Sequence, residues 1–133
     1  MNIVNIAYQA TATYSLITST GYCKHVSGGF LSNCWNYSIT SIDICESYCT
    51  NQKSCVGYDH SVLDSHCELF TSDSTCPSDF KVNSGSETAK TMKDLVASYS
   101  ASEYGYICYG KTSGKCILNS CTLDIVKFFS TNM

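Results

Sequence analysis

The residues that could carry chemistry in this sequence are its 10 cysteines and 3 histidines. Thiolates and imidazoles bind zinc, and His60, His66 and Cys67 lie close together along the chain. Zinc sites usually show two closely spaced ligand pairs, and the Cys45-x3-Cys49 spacing does not match them. We therefore predict no metal and no cofactor, and we expect His60 and His66 to lie on the surface of a hairpin.

Nucleophilic catalysis has no recognisable motif either. The chain lacks G-x-S-x-G, and no Cys, Asp or Glu has flanking residues typical of a catalytic site. Asp59-His60-Ser61 contains the residue types of a catalytic triad, but neighbouring residues of a strand point to opposite faces. A chain whose thiols are all structural also lacks the exposed low-pKa thiol of a redox enzyme. The sequence predicts a protein that is not an enzyme.

The cysteines instead indicate a disulfide framework, because an even number of 10 in 133 residues is high for a reduced compartment. We therefore expect a secreted, extracellular protein. The first ten residues have neither the positive charge nor the apolar run of a secretory signal, so this sequence would be the mature chain. No apolar run approaches the roughly 18 residues of a membrane span.

The charge balance argues against a nucleic-acid partner. The chain has 8 Lys and no Arg against 11 acidic residues, which gives a net charge of −3. Phosphate contacts need clustered cations, and these are thinly spread. In contrast, 21 Ser and 13 Thr provide a hydroxyl-rich surface that suits secretion.

A helix is predicted over residues 41–50. Thr40 is a candidate N-cap, and Ile42, Cys45 and Cys49 recur at helical spacing on one face. Two thiols would therefore point inward together from this helix.

A hairpin is predicted directly after the helix. Residues 55–60 and 66–71 have strand character and are joined by residues 61–65. Packed under the helix, this hairpin would bring Cys55 and Cys67 close to the two helical thiols. Ten cysteines allow about 945 complete pairings, so the spacing alone leaves the connectivity open.

The remaining elements are predicted from composition and periodicity. In residues 87–97, Ala89, Met92, Leu95 and Val96 form one apolar stripe, which predicts a second helix. β-branched, aromatic and apolar residues predict four further strands. These strands cover residues 3–9, 13–18, 104–109 and 122–129.

The central pattern resembles the helix and hairpin signature of the PAN/apple domain family. It consists of Cys45-x3-Cys49-x5-Cys55, then Gly57-Tyr58, then Cys67-Glu68-Leu69. Tyr14-Ser15-Leu16 with Gly21-Tyr22-Cys23 resembles the opening strand of that family, and Tyr106-Ile107-Cys108-Tyr109 resembles its closing strand. The resemblance covers about residues 12–110.

The resemblance implies an α+β fold in which a disulfide-rich antiparallel sheet is crossed by one helix. The second helix and strand-like extensions at 1–11 and 111–133 would be additions to it, within one domain spanning residues 1–133. Members of the family bind proteins or carbohydrates, which implies a partner of one of these kinds.

The resemblance also implies three disulfides, which join Cys45 to Cys67, Cys49 to Cys55, and Cys23 to Cys108. Four cysteines have no counterpart in the family pattern. By elimination we assign Cys34 to Cys76, and we assign Cys116 to Cys121 because that pair closes a short loop.

Ligand binding is predicted at Trp35 and Tyr37, because flat aromatic rings bind sugars and this pair lies beside Cys34. Most of the 10 Tyr are expected to be packing residues of strands. Asn36-Tyr37-Ser38 is also an N-glycosylation sequon. A glycan on Asn36 would show that the loop is exposed but would crowd a binding site there.

Two functions are consistent with these patterns. The first is a non-enzymatic extracellular module for recognition or adhesion that binds protein or carbohydrate. The alternative is an extracellular structural protein that self-assembles into filaments, because unpaired strands at 3–9 and 122–129 could join the sheet edge of another copy.

Overall fold

The computed structural model of the chain describes residues 11–98 and 105–115. One α-helix and eight strands lie in these ranges. They are β1 (Thr11–Thr18), β2 (Cys23–His25), β3 (Asn33–Asn36), α1 (Ile42–Asn51), β4 (Cys55–Ser61), β5 (His66–Thr71), β6 (Lys81–Asn83), β7 (Leu95–Ala97) and β8 (Tyr106–Lys115). The structure therefore shows an α+β fold with one helix and disulfide-linked antiparallel strands.

Two antiparallel sheets contain all of these strands. The large sheet has the order β1-β8-β4-β5-β3-β6, and the small sheet pairs β2 with β7. The predicted opening and closing strands are confirmed as neighbours, since Thr11 pairs with Lys115 at the far end of β8. Residues 111–115, expected to lie in an extension, therefore belong to the large sheet.

The predicted helix is confirmed, but its N-cap was assigned one residue too early. Ser41, not Thr40, has the extended backbone of an N-cap, and its Oγ accepts a hydrogen bond from the Asp43 N–H at 3.2 Å. At the other end, Lys111 Nζ lies 3.0 Å from the carbonyl oxygen of Cys49 and donates to it. A cation there also complements the helix dipole.

The predicted hairpin is confirmed as β4 and β5, and its register separates two faces of the large sheet. Side chains alternate between faces along a strand. We call the side packed against α1 the helix face, and it carries Cys34, Tyr58, Cys67 and Leu69. We call the other side the cap face, and it carries Gly57, Asp59, Glu68, Phe70 and Cys108.

The small sheet covers part of the cap face. A Cβ atom at Gly57 would lie 2.4 Å from Leu95 Cδ1 and 2.6 Å from the backbone oxygen of Tyr109, so glycine allows β4 to lie this close to both β7 and β8. Cys23, Phe70, Leu95 and Cys108 form the core between the two sheets.

Four disulfides join the eight cysteines of the described residues. They are Cys23–Cys108, Cys34–Cys76, Cys45–Cys67 and Cys49–Cys55, the same four pairs that were expected. The pair assigned to Cys116 and Cys121 lies outside the described residues, as do the strands predicted at 3–9 and 122–129.

The second helix predicted over residues 87–97 is wrong. Met92–Asp94 forms a single 3₁₀ turn, and the chain then enters β7. The Asp94 carboxylate accepts hydrogen bonds from the N–H groups of Lys90 (2.8 Å) and Thr91 (3.3 Å), which closes the turn locally. Pairing of Leu95 with His25 of β2 then replaces the hydrogen bonds that a longer helix would have made.

Candidate ligand-binding site

Aromatic rings gather at one end of the cap face. The Tyr37 ring stacks on His66 with centroids 4.0 Å apart and planes 11° apart, and its centroid lies 5.2 Å from that of Trp35 in an edge-to-face contact. Tyr106 joins them through its hydroxyl, 2.7 Å from His66 Nδ1, and meets Tyr22 edge-to-face at 6.3 Å. We call these five residues the aromatic cluster.

His66 is the centre of this cluster and is buried, so the expectation that His60 and His66 lie on the surface was wrong. Burial lowers the pKa of His66, and the nearby charge of Asp64 only partly opposes this effect. Its ring is therefore neutral at neutral pH and can pack between aromatic rings. His60 lies on the helix face, where its Nε2 is 2.7 Å from the carbonyl oxygen of Ile39.

A row of side chains crosses four strands beside the cluster. In the strand register Trp35 lies between Lys81 on one side and Glu68 on the other, and Glu68 lies opposite Asp59. The Lys81 ammonium sits 5.2 Å from the Trp35 ring centroid in a cation–π contact. Trp35 therefore has a cation over its ring, whereas Tyr37 is 57% exposed.

Asp59 and Glu68 lie opposite each other on the cap face and form a pair of carboxyl groups. Asp59 is fully buried, and its Oδ2 accepts a hydrogen bond from the Cys23 N–H at 3.0 Å. Burial raises the pKa of Glu68 to about 7. With its pKa at about 7, Glu68 is partly protonated at neutral pH, so the pair carries less than two negative charges there.

A cleft of about 730 Å³ opens between the cap face, the small sheet and the loop that follows β2. Its volume is in the range of small-ligand sites. Aromatic, acidic, amide and basic side chains all contribute to its wall. They include Tyr22, Lys24, Phe30, Asn33, Glu68 and Tyr106. Tyr22 and Tyr106 belong to the aromatic cluster as well, so the cleft and the cluster are continuous.

Asn33 is the unusual polar residue of the cleft. Only 9% of the residue is exposed, its Nδ2 donates to the Leu31 carbonyl oxygen at 3.1 Å, and its Oδ1 has no hydrogen-bond partner among the described residues. Buried polar atoms of native proteins nearly always have a partner. Asn33 Oδ1 is therefore an acceptor still able to take a hydrogen bond from a bound molecule.

The sequon residue Asn36 lies on the side of the sheet away from Trp35. Its Nδ2 donates to the Asp79 carbonyl oxygen at 2.9 Å, and its Oδ1 accepts from the Ser38 N–H at 2.7 Å. Adjacent strand residues point to opposite faces, so a glycan on Asn36 would leave from the helix side. Trp35 and Asn36 therefore do not share one surface, although Trp35 and Tyr37 do.

The residues considered for metal binding and catalysis are dispersed. Cys67 is bonded to Cys45, and His60 and His66 lie on opposite faces of the sheet. Within residues 11–98 and 105–115, no group of three or more His, Cys, Asp or Glu side chains is arranged to hold a metal ion. In the same residues, no helix is long and apolar enough to cross a membrane.

Sequence reasoning missed Asn33, Asp59, Glu68 and Tyr106 as site residues. One signal was available for two of them, because a hairpin with its turn at residues 62–65 places residue 59 opposite residue 68. Two acidic residues facing each other in a sheet would have indicated a raised pKa for one of them. The sequence contains no such signal for Asn33, whose isolation depends on the loop that packs above it.

In comparisons with known proteins, no family model, no curated protein and no solved structure matches this chain. The resemblance to the PAN/apple family therefore stays a prediction.

Proposed function

We propose that this protein is a non-enzymatic extracellular recognition module that binds carbohydrate through the aromatic cluster. This proposal depends on the position of the Tyr37 ring, which stacks on His66 beside the cleft. Tyr37 is 57% exposed there. A fixed and accessible aromatic face next to polar side chains has the chemistry needed to pack against a sugar ring and hydrogen bond its hydroxyl groups.

Three further features support the proposal. Four disulfides favour an oxidising compartment outside the cell. The buried Asp59 cannot reach a substrate, and His60 lies across the sheet from it, which argues against catalysis by the Asp59-His60-Ser61 segment. The resemblance to PAN/apple domains supports the same function, since members of that family bind proteins or carbohydrates.

Screening the secreted protein on a glycan array tests this function. We expect binding to at least one glycan class, a loss of about tenfold or more in affinity for Tyr37→Ala, and recovery in Tyr37→Phe, which keeps the ring. Ile44→Ala is the control, because Ile44 is an exposed apolar residue of α1 on the other side of the sheet. No glycan binding, or equal losses in Tyr37→Ala and Ile44→Ala, would contradict the proposal.

Self-assembly is the second candidate function, and the position of β1 favours it. Among the described strands β1 pairs only with β8, so its other edge can accept a strand from another copy. Light scattering on the full chain and on a variant lacking residues 122–133 separates the two functions. Concentration-dependent polymers that disappear with the deletion would support assembly, and unchanged monomers in both proteins would exclude it.

A further inference from the structure

The cleft has features that the exposed Tyr37 ring does not explain. The ring planes of Tyr22 and Tyr106 are 83° apart, and the two rings form two walls of the cleft. Phe30 lies at the rim and is 81% exposed. Perpendicular aromatic walls can cover two sides of a compact ring-shaped ligand. These two walls thus offer a place for one ring-shaped unit of a ligand.

The charges that line the cleft nearly cancel. Lys24 contributes one positive charge, and Glu68, whose pKa is raised to about 7, contributes a partial negative charge near neutral pH. A strongly anionic ligand would meet the negative pair, and a cationic ligand would meet Lys24. An uncharged ligand that both donates and accepts hydrogen bonds meets neither repulsion.

Two acceptors in the cleft wall are available to donors of a ligand. About 19% of the Glu68 side chain is exposed, so its carboxyl group can be reached from the cleft. Asn33 Oδ1 is buried without a partner, which destabilises the free protein and is relieved when a ligand donates to it. Sugar hydroxyl groups are donors of this kind, and their oxygens can accept from Lys24.

We infer that the cleft is a separate subsite for one uncharged sugar unit, with Glu68 and Asn33 accepting its hydroxyl hydrogens. This inference rests on the proposed carbohydrate binding and adds both the place and the class of the sugar. Tyr37 then packs against the next part of the same glycan, because the cluster and the cleft share Tyr106.

Two substitutions separate ligand binding from structural support. Asn33→Leu removes an unpaired buried acceptor, which offsets the loss of the Nδ2 hydrogen bond to the Leu31 carbonyl oxygen, and Glu68→Gln removes a partly buried carboxylate while keeping the shape of the side chain. Each should leave the melting temperature at pH 7.5 unchanged or higher and weaken sugar binding by about tenfold, the value of one charged or buried hydrogen bond. Residues that only supported the fold would lower the melting temperature instead.

The controls make the same chemical changes on the other side of the sheet. Glu46→Gln and Asn51→Leu alter residues of α1, and neither should change sugar affinity. The probes are galactose, glucose, mannose and N-acetylglucosamine, compared with glucuronic acid and a sulfated heparin disaccharide, followed by saturation-transfer NMR. We expect transfer to at least one of the four neutral sugars and weaker or no transfer to the two acidic ones.

The outcomes distinguish this inference from the function on which it rests. Glycan binding that needs Tyr37 but is unchanged in both Asn33→Leu and Glu68→Gln would overturn the cleft subsite and leave the proposed function standing. Preference for the acidic probes would overturn the uncharged class. Absence of any sugar or glycan binding would remove the proposed function and the subsite together.

Discussion

The two faces of the large sheet are built in different ways. On the helix face, Tyr58, Cys67 and Leu69 pack against Cys45 and Cys49 of α1, and all five are at most 1% exposed. Three of the four described disulfides end in this layer. The cap face has one disulfide and carries a carboxyl pair, a buried histidine, an unpaired amide oxygen and the cleft.

This difference shows how a small protein can keep one face available for binding. A domain of this size buries a limited apolar area, and disulfides add stability by restricting the unfolded chain. Because the helix face concentrates both the apolar packing and the bridges, the cap face can hold polar groups that destabilise the free protein. Each prediction below breaks or sharpens this contrast.

The largest effect is expected from the bridge of the cap face. Cys23 and Cys108 are separated by 85 residues, and replacing both with alanine should lower the free energy of unfolding by about 4 kcal/mol with the other bridges in place. For Cys49 and Cys55, separated by 6 residues, the expected loss is about 2 kcal/mol. All four residues are at least 96% buried, so loop length is the main difference between the pairs.

Urea unfolding of the two double variants measures this difference. A larger loss for the Cys49 and Cys55 pair would mean that packing of the helix face, rather than loop entropy, sets the value of each bridge.

The next effect is a pH dependence that comes from the cap face. The folded protein raises the pKa of Glu68 from 4.5 to about 7, so it holds this proton more tightly than the unfolded chain does. The contribution of Glu68 to stability is therefore full below about pH 4.5 and is lost as the pH rises through about 7. At 1.36 kcal/mol per pKa unit, the full change is on the order of 3 kcal/mol.

Comparing wild type with Glu68→Gln at pH 5 and pH 8 measures this contribution. The lowered pKa of His66 acts in the opposite direction, because protonation of the unfolded chain near pH 6.5 favours unfolding. His66 Nδ1 lies 3.6 Å from Glu68 Oε1, so the difference between the two proteins includes any change at His66. Glu68→Gln should gain stability over wild type at pH 8 but not at pH 5, while Asp43→Asn, at an exposed residue of α1, should show no such gain. An equal shift at both pH values would show that Glu68 does not hold the proton.

The smallest effect is expected at the start of α1. Ser41→Ala removes the side chain that caps the helix and should cost about 1 kcal/mol. Thr40→Ala is the matched control, because Thr40 lies just outside the helix and is exposed. Thermal unfolding of the two variants measures both effects. A larger loss of stability for Thr40→Ala would show that Thr40, as predicted from the sequence, caps the helix.

Local patterns predicted much of the fold but failed where two structures fit the same spacing. The α1 helix and the β4–β5 hairpin follow from patterns confined to a few neighbouring residues. In residues 87–97 the apolar spacing fits a helix equally well, yet pairing with β2 makes Leu95–Ala97 a strand. Propensity is a weak guide when tertiary pairing offers the backbone other hydrogen bonds.

By itself the sequence determined the disulfide-rich α+β class and the aromatic pair of Trp35 and Tyr37, because these depend on composition and on spacing along the chain. Only the tertiary structure decided that His66 lies under Tyr37, that burial raises the pKa of Glu68 opposite Asp59, and that a cleft lies beside them. Burial and register are properties of strands distant in sequence and of the small sheet above them. Burial and register determine the pKa of a side chain and whether its polar atoms have hydrogen-bond partners. Neither property follows from the residues next to it in the sequence.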